Sequence, residues 1–393
     1  MFSNLPAPPE QKILEIMQLF RDDPRPRKID LGVGVYKNAE GQTPIPRAIK
    51  AAEKRLWECE DTKTYVGLLG APDFADAMVD LILAGSVARD QIAHAATPGG
   101  TGALRQAFEM IQLANPDARV WISDPSWGNH LSMLDYLGIA NEAYAYFDAE
   151  SGALKFDAMV DDLKRAKVGD VVLLHGCCHN PTGVNLSQKE WRIIADLILE
   201  QGLIPMIDLA YQGFGDGLDE DAFGVRLMAS HCPETLIAAS CSKNFGIYRE
   251  RTGIFLSLCQ EAKLMKSIQG NMAGLNRQNF SFPPDHGARL VTMVLNDPEL
   301  RADWENELRD IREGVLSLRR QLAGELQRQT NGDRFDFVAE HRGMFSLLGL
   351  SEDQVLTLRH DHAVYAVSDS RINVAGLTKD SVPILAKAIA AVL

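Results

Sequence analysis

Residues 171–175 read Val-Val-Leu-Leu-His, an unbroken apolar run that ends in a polar side chain. Similar short runs lie at 119–122 (RVWI), 203–208 (LIPMID) and 236–240 (LIAAS). Continuous apolar runs are typical of strands that are buried on both faces of a parallel sheet. Helical patterns separate the runs, and the clearest, residues 187–200, begins with the capping-box pair Ser187 and Glu190. This alternation predicts an α/β fold with a mostly parallel sheet.

A chain of 393 residues is long for one domain, so two domains are expected. After Asp297-Pro298, apolar residues recur every three or four positions, which indicates a long helix packed along its own protein rather than a membrane or partner helix. Short strand candidates follow at 334–338, 344–348 and 371–374, and a closing helix begins at Val382. We predict an N-terminal arm (1–11), a small α+β domain (12–43 and 311–393) and a large domain that holds the sheet (44–310).

The composition excludes several classes of protein. A net charge of −13 argues against a nucleic-acid or anionic-membrane partner, since both need clustered positive charge. No apolar run approaches the roughly 18 residues of a membrane span, and the first residues lack the pattern of a signal peptide. The six cysteines form no C-x-x-C pair, which is typical of reduced thiols and argues against a zinc site. We expect a cytoplasmic protein without a metal centre.

Polar residues follow several of the predicted strands. Asp208 and Tyr211 follow one strand, Asn180 another, and Lys243 a third. Each alone has an ordinary explanation, such as a turn, a cap or a solvated surface charge. Because ligands bind outside the carboxyl ends of parallel strands, we expect these side chains to meet in one crevice.

A glycine-rich helix start supplies a further part of this crevice. Gly99-Gly100-Thr101-Gly102 offers free backbone N–H groups at a helix N-terminus, which is a seat for a phosphate. The chain lacks the G-x-G-x-x-G pattern of a nicotinamide-binding unit. A lysine at a strand edge can form a Schiff base with an aldehyde. A lysine, a phosphate seat and an acid for the ring nitrogen are what pyridoxal phosphate requires, and Lys243, Gly100-Thr101 and Asp208 offer them.

Four ordered motifs carry a family resemblance: H-N-P-T-G (179–183), D-x-A-Y-Q-G-F (208–214), S-x-S-K-N-F-G (240–246) and R-x-N-V-A-G (371–376). In this order and spacing they resemble the class I aspartate/aromatic aminotransferase family, and the match extends over essentially the whole chain. The resemblance implies a homodimeric enzyme of fold type I that uses pyridoxal 5′-phosphate.

The resemblance also implies a role for individual residues. Lys243 would hold the cofactor covalently and transfer the proton at the substrate Cα, and Asp208 would pair with the ring nitrogen. Other cofactor contacts are implied for the phenolic oxygen (Tyr211, Asn180), the ring face (Trp127), and the phosphate (Gly100, Thr101, Ser240, Ser242, Arg251, and Tyr65 from the neighbouring subunit). His130 and His175 would either tune the Asp208 network or pack as neutral side chains.

Two arginines are implied to bind the substrate. Arg371 matches the residue that binds the α-carboxylate, a task suited to a two-pronged guanidinium. Arg277 matches the residue lent across the dimer to a distal carboxylate. Gly34, Trp127 and Asn180 are also expected beside the substrate.

The substrate preference depends on two departures from the strict aspartate pattern. Thr64 and Phe282 stand where strict aspartate enzymes usually have asparagine, which makes the chain similar to bacterial aromatic-amino-acid aminotransferases that also accept dicarboxylates. We predict transfer between tyrosine, phenylalanine or aspartate and 2-oxoglutarate by a ping-pong mechanism. One alternative is a strict aspartate enzyme, whose pattern is kept at Val35, Lys37, Thr43 and Thr101. The others are another pyridoxal-phosphate reaction such as a β-lyase, and a non-enzymatic regulator.

Overall fold

The computed structural model describes Phe2, Leu5 and residues 12–393. The rest of the predicted arm, residues 1–11, lies outside the described residues. Within residues 12–393 the α-helices are α1 (Lys12–Asp22), α2 (Arg47–Cys59), α3 (Pro72–Leu83), α4 (Gly99–Ala114), α5 (Gly128–Leu137), α6 (Phe156–Leu163), α7 (Gln188–Glu200), α8 (Leu218–Asp221), α9 (Phe223–His231), α10 (Met265–Asn279), α11 (His286–Asn296), α12 (Pro298–Thr330), α13 (Phe337–Glu340), α14 (Glu352–His362) and α15 (Ser381–Val392).

The strands of the same region are β1 (Ile29–Asp30), β2 (Ile92–Pro98), β3 (Val120–Asp124), β4 (Asn141–Ala145), β5 (Phe147–Asp148), β6 (Ala153–Leu154), β7 (Val171–His175), β8 (Ile204–Leu209), β9 (Glu234–Ser240), β10 (Thr252–Cys259), β11 (Phe345–Leu347), β12 (Val364–Tyr365) and β13 (Arg371–Asn373). The central sheet has the order β2-β10-β9-β8-β7-β3-β4. Strand β10 is antiparallel to both of its neighbours, and the remaining pairs are parallel.

The four apolar runs of the sequence are the inner strands β3, β7, β8 and β9 of this sheet, as predicted, whereas the inner strand β10 was not among the predicted strands. Along β7, Val172 and Leu174 pack into one hydrophobic cluster, whereas Val171 and Leu173 pack into another. Because successive strand residues point to opposite faces, both faces of the sheet are covered, and an uninterrupted apolar run satisfies both.

Helix α7 begins with the capping box that the sequence predicts. The Ser187 hydroxyl accepts a hydrogen bond from the Glu190 backbone N–H at 3.3 Å. The Glu190 carboxylate in turn accepts from the Ser187 backbone N–H at 2.7 Å. These two bonds satisfy backbone donors that the helix itself leaves free at its N-terminus.

The C-terminal strands β11 and β13 and the closing helix α15 lie where the sequence predicts them, but the strand predicted at 334–338 is wrong. Residues 334–336 form turns and 337–338 begin α13, with local hydrogen bonds from Val338 N–H to Phe335 O at 3.0 Å and from Ala339 N–H to Asp336 O at 3.1 Å. Phe335 and Val338 are both buried. Their spacing of three residues suits a helical turn and not the alternation of a strand.

The first and last parts of the chain are joined by hydrogen bonding. Strand β1 pairs in parallel with β12, with Ile29 opposite Val364. This pairing is compatible with a small domain built from 12–43 and 311–393, and that division stays a prediction.

The long helix α12 packs against the rest of the protein, as its apolar pattern predicts. The buried Trp304 donates from Nε1 to the Asn244 carbonyl at 2.7 Å, and its ring stacks on Phe245 at 4.5 Å between centroids. Both partners lie directly after Lys243 in the chain, so the helix supports the segment that carries this lysine.

Among the described residues, no helix combines the length and the hydropathy that a membrane crossing requires.

Removal of the α7 capping box should lower stability. Ser187→Ala should cost about 0.5–2 kcal/mol, since the hydroxyl that accepts from Glu190 N–H is lost. Calorimetry should record a lower midpoint of thermal unfolding. The matched control is Ser230→Ala, another exposed serine, whose hydroxyl only bonds back to carbonyls of its own helix. Equal midpoints for the two variants would contradict the stabilising role of the capping box.

Candidate active site

A cavity of about 290 Å³ lies at the carboxyl ends of β7, β8 and β9. Parallel pairing brings these ends together, with His175 opposite Asp208 and Asp208 opposite Ala238. The cavity is lined by most of the residues that the sequence predicts for the site, namely Gly34, Gly100, Thr101, Trp127, Asn180, Asp208, Tyr211, Ser240, Ser242, Lys243, Arg251 and Arg371.

Asp208 is a buried carboxylate at the end of β8, and its partners keep it ionised. His130 Nε2 lies 2.9 Å from Asp208 Oδ2, and His130 Nδ1 lies 3.0 Å from the Ser126 hydroxyl. Because an ionised carboxylate can only accept, the His130 Nε2–H is the donor to Asp208. Burial acts to raise the pKa of Asp208, but the hydrogen bond and electrostatic attraction of His130, with a smaller contribution from Lys243, outweigh it, so the pKa lies below its ordinary value.

His175 belongs to the same network but is a neutral member of it. Its Nε2 lies 3.3 Å from the Ser126 hydroxyl, and its ring meets His130 at 5.2 Å between centroids. Burial lowers the pKa of His175 to about 3, so the ring carries no charge near neutral pH. The two histidines therefore differ, since His130 bonds Asp208 directly and His175 reaches it only through Ser126 and His130.

Lys243 and Tyr211 lie together in the cavity. Lys243 Nζ is 4.8 Å from the centroid of the Tyr211 ring. Burial lowers the pKa of Lys243, although the Asp208 carboxylate acts in the opposite direction, so the neutral and nucleophilic amine becomes more accessible. Burial also raises the pKa of Tyr211, and the Asp208 charge adds to the rise. The Tyr211 phenol thus stays protonated and can donate a hydrogen bond.

Hydrogen-bond donors for an anion converge at the start of α4. A Cβ on Gly100 would lie 2.8 Å from Ser240 Cβ, and one on Gly99, whose φ is +73°, would lie 2.5 Å from Arg251 Nη2. Only glycine therefore permits so close an approach of the helix to the serine and the arginine. Arg251 Nη1 is also 3.4 Å from the Ser242 hydroxyl. A helix N-terminus, two hydroxyls and a guanidinium form a seat suited to a phosphate group.

Arg371 brings a buried positive charge to the other side of the cavity. It donates to Asn180 Oδ1 and to the Gly32 carbonyl, both at 3.2 Å. Its Nε–H is buried and has no hydrogen-bond partner among the described residues. A buried guanidinium with a free donor and only uncharged acceptors suits a carboxylate ligand.

Trp127 lies directly before α5, and its ring meets the His130 ring edge-on at 5.3 Å between centroids. The phosphate seat, the acid Asp208, the amine Lys243 and this aromatic ring together fit pyridoxal phosphate.

Tyr65 and Arg277 lie outside the cavity of the single chain. Both are exposed, Tyr65 to 83%. The Tyr65 ring stacks on Phe282 at 4.7 Å between centroids and an interplanar angle of 17°. Their positions are compatible with the prediction that they act on a neighbouring subunit.

Four cavity residues were not predicted as part of the site: Leu104, Ala210, Tyr248 and Phe345. Tyr248 could have been found from the sequence, because it stands three residues before Arg251. In the structure its hydroxyl accepts a hydrogen bond from the Tyr36 N–H at 3.3 Å. Phe345 carries no reactive group, so nothing in the sequence distinguishes it from a core residue.

Cys177, Cys178 and Asp221 hold their potential metal-ligating atoms within 4.8 Å of one another. The Asp221 carboxylate already accepts backbone N–H groups of Gly213 and Gly215, both at 2.8 Å, which accounts for its burial. The absence of a metal centre stays a prediction.

Comparisons with known proteins agree with this geometry. Residues 26–389 match the family model for aminotransferase class I and II. The chain is 58% identical to the aromatic-amino-acid aminotransferase of Paracoccus denitrificans, with 99% of each chain covered. It is 44% identical to the aspartate aminotransferase of Escherichia coli strain K12, with 100% of each covered.

Solved structures agree as well. An aromatic amino acid aminotransferase with 3-indolebutyric acid superposes with a TM-score of 0.97 at 57% identity, covering 100% of each chain. The aromatic-amino-acid aminotransferase of Burkholderia pseudomallei, covalently bound to pyridoxal phosphate, gives 0.97 at 38% identity, covering 100% of this chain and 99% of that one. The chain thus belongs to the class I and II aminotransferases, pyridoxal-phosphate-dependent enzymes with the α/β architecture of fold type I.

Proposed function

We propose that the protein transfers an amino group between an aromatic amino acid (tyrosine or phenylalanine) or aspartate and 2-oxoglutarate, by a ping-pong sequence of two half-reactions in one site. One observation carries this proposal. The same cavity contains the amine of Lys243 and the buried guanidinium of Arg371, whose Nε–H has no partner among the described residues. A substrate carboxylate bound at Arg371 brings its Cα into a cavity that also holds a base.

Pyridoxal phosphate, when bound, supplies an aldehyde for the amino group and a ring that draws electrons from the substrate Cα. Asp208 keeps the ring nitrogen protonated, since the carboxylate stays ionised beside His130. Lys243 Nζ takes up the proton that leaves the substrate Cα. Burial lowers the pKa of Lys243 and so favours the neutral amine, which is the form that can accept this proton.

The other predicted residues are proposed to orient the cofactor and the substrate. Tyr211 and Asn180 bind the phenolic oxygen, and Trp127 covers the ring. The phosphate is held by Gly100, Thr101, Ser240, Ser242, Arg251 and, from a neighbouring subunit, Tyr65. Gly34 lies beside the substrate, where a Cβ would be only 2.8 Å from Phe345 Cζ.

The aromatic preference is supported by the relatives and by two residues near Arg277. The chain shares more identity with the Paracoccus denitrificans aromatic enzyme than with the Escherichia coli aspartate enzyme, 58% against 44%. Phe282 and Thr64 are less polar than the asparagines usual in strict aspartate enzymes. A strict aspartate enzyme remains the second candidate, because Arg277 suits a distal carboxylate. The same arginine argues against a β-lyase.

We further propose a homodimer with shared active sites, in which Tyr65 and Arg277 act on the partner's cavity. The exposure of both residues in the single chain supports this assignment. A cytoplasmic location also stays a proposal, and the free state of all six cysteines is compatible with a reducing compartment.

The first test concerns Lys243. Borohydride reduction of the yellow holoenzyme followed by peptide mapping should place the pyridoxyl group on Lys243, the lysine of the cavity. Lys243→Ala protein treated in the same way is the control and should carry no label in this peptide. A label on a different lysine would refute the assignment.

The second test separates the two arginines. Arg277→Ala should lower kcat/KM for aspartate by about 10²–10³, because an unpaired buried charge costs about 3–5 kcal/mol. Phenylalanine should change less than about tenfold, since its ring gains nothing from a guanidinium. Arg371→Ala should harm both donors, which share the α-carboxylate. Equal losses for the two donors in Arg277→Ala would show that this residue does not sort substrates.

The third test concerns the shared sites. Mixing Lys243→Ala with Arg277→Ala subunits should create heterodimers in which one site has both native residues. Transamination of aspartate should then rise above the rate of either variant alone. Unchanged activity, with subunit exchange demonstrated by mass spectrometry, would contradict the action of Arg277 in trans.

A further inference from the structure

Arg319 on α12 is a charged side chain with no solvent exposure. All its hydrogen bonds go to uncharged oxygens of residues 338–346. Nε donates to Gly343 O (3.2 Å), Nη1 to Val338 O (3.2 Å) and Ser346 Oγ (2.7 Å), and Nη2 to Arg342 O (3.3 Å), Gly343 O (2.8 Å) and Phe345 O (2.6 Å).

The charge of this side chain is retained despite burial. Burial lowers the pKa of Arg319 to about 9, which is still above neutral pH, so the guanidinium stays protonated. Carbonyl dipoles replace its water shell, and each N–H group has a partner, as a buried charge requires. Apolar residues often stabilise a core as well as buried charges do, so packing alone does not account for an arginine here.

The segment held by Arg319 forms one wall of the cavity. Phe345 lines the cavity, and its ring centroid lies 4.6 Å from the guanidinium carbon of Arg371. On another side the ring meets Tyr211 edge-on at 6.2 Å. A Cβ on Gly34 would be 2.8 Å from Phe345 Cζ, so the ring packs directly against the Gly34 backbone.

The same segment also holds the backbone of Arg371. Strand β11 pairs with β13, which places Phe345 opposite Asn373 and Leu347 opposite Arg371. The Val374 N–H donates to the Met344 carbonyl at 2.7 Å. Displacement of residues 343–346 would therefore move both the ring beside the guanidinium and the strand that carries it.

We propose that Arg319 is a positioning residue for Arg371, which fixes residues 343–346 so that the Arg371 guanidinium is aimed at the substrate carboxylate. This inference rests on the proposed role of Arg371. Arg319 itself touches neither substrate nor cofactor. Its loss should weaken carboxylate binding while the groups around Lys243 and the phosphate seat stay in place.

The test compares Arg319→Lys with Arg320→Lys, the same substitution at the next, exposed residue of α12. Lysine keeps the charge but has too few donors for all the acceptors. The probe is 3-indolebutyrate, whose anionic group is a single carboxylate, titrated calorimetrically into the holoenzyme. Arg319→Lys should raise its dissociation constant about ten- to hundredfold, with bound cofactor unchanged, and Arg320→Lys should match the unmodified protein.

Steady-state kinetics gives a second readout. KM should rise for both aspartate and phenylalanine in Arg319→Lys, because both present an α-carboxylate, whereas kcat should change less than about threefold. A fall in kcat with unchanged KM, or loss of the cofactor with unchanged probe affinity, would overturn the inference.

Two further variants keep the inference falsifiable. Phe345→Leu removes the ring beside Arg371 and leaves Arg319 intact, and combining it with Arg319→Lys should weaken probe binding by less than the product of the two single effects. Independent, multiplicative effects would count against positioning through Phe345. If Arg371→Ala binds 3-indolebutyrate as the unmodified protein does, the proposed role of Arg371 fails, and the inference with it. If Arg371→Ala weakens binding but Arg319→Lys leaves it unchanged, the inference about Arg319 fails and the proposed role of Arg371 stands.

Discussion

The burial of the Asp208 carboxylate restricts which side chains can surround it. A carboxylate at the end of an inner strand is costly unless it is hydrogen-bonded and compensated. His130 from α5 supplies the hydrogen bond, and Lys243, after β9, lies near enough to help lower the pKa of the carboxyl group. Because β7, β8 and β9 pair in parallel, their ends lie side by side, and the groups that Asp208 needs can come from different parts of the chain.

The strands of the fold were predictable where one physical demand dominated the sequence. The runs at 171–175, 203–208 and 236–240 are apolar up to their last residue because both faces of the sheet are covered. The prediction failed at 334–338, where Phe335 and Val338 are buried by a helical turn. Short apolar segments suit either a strand or a turn of helix, and tertiary packing decides between them.

The reactive groups of the site were predictable from the sequence, but the buried residues that hold its walls in place were not. Lys243 and Asp208 stand out in the sequence because their chemistry is unexpected after apolar strands. Arg319 was not found, since an arginine in an amphipathic helix is ordinarily assigned to the solvent face, yet here it has no exposure. Its partners are backbone carbonyls, and a sequence pattern does not reveal which carbonyls a loop will present.

Helix α12 contacts two segments that contribute residues to the cavity. Trp304 binds the carbonyl of Asn244, next to Lys243, and Arg319 binds the segment that carries Phe345. The two anchors are separated by 15 residues of continuous helix, or about 22 Å. The helix therefore fixes the spacing between the segment that follows Lys243 and the segment that carries Phe345. Substitution of an exposed residue leaves both anchors in place, but gain or loss of one residue between them would shift an anchor by about 1.5 Å and turn it by roughly 100°. In this stretch, chain length is under tighter physical constraint than composition.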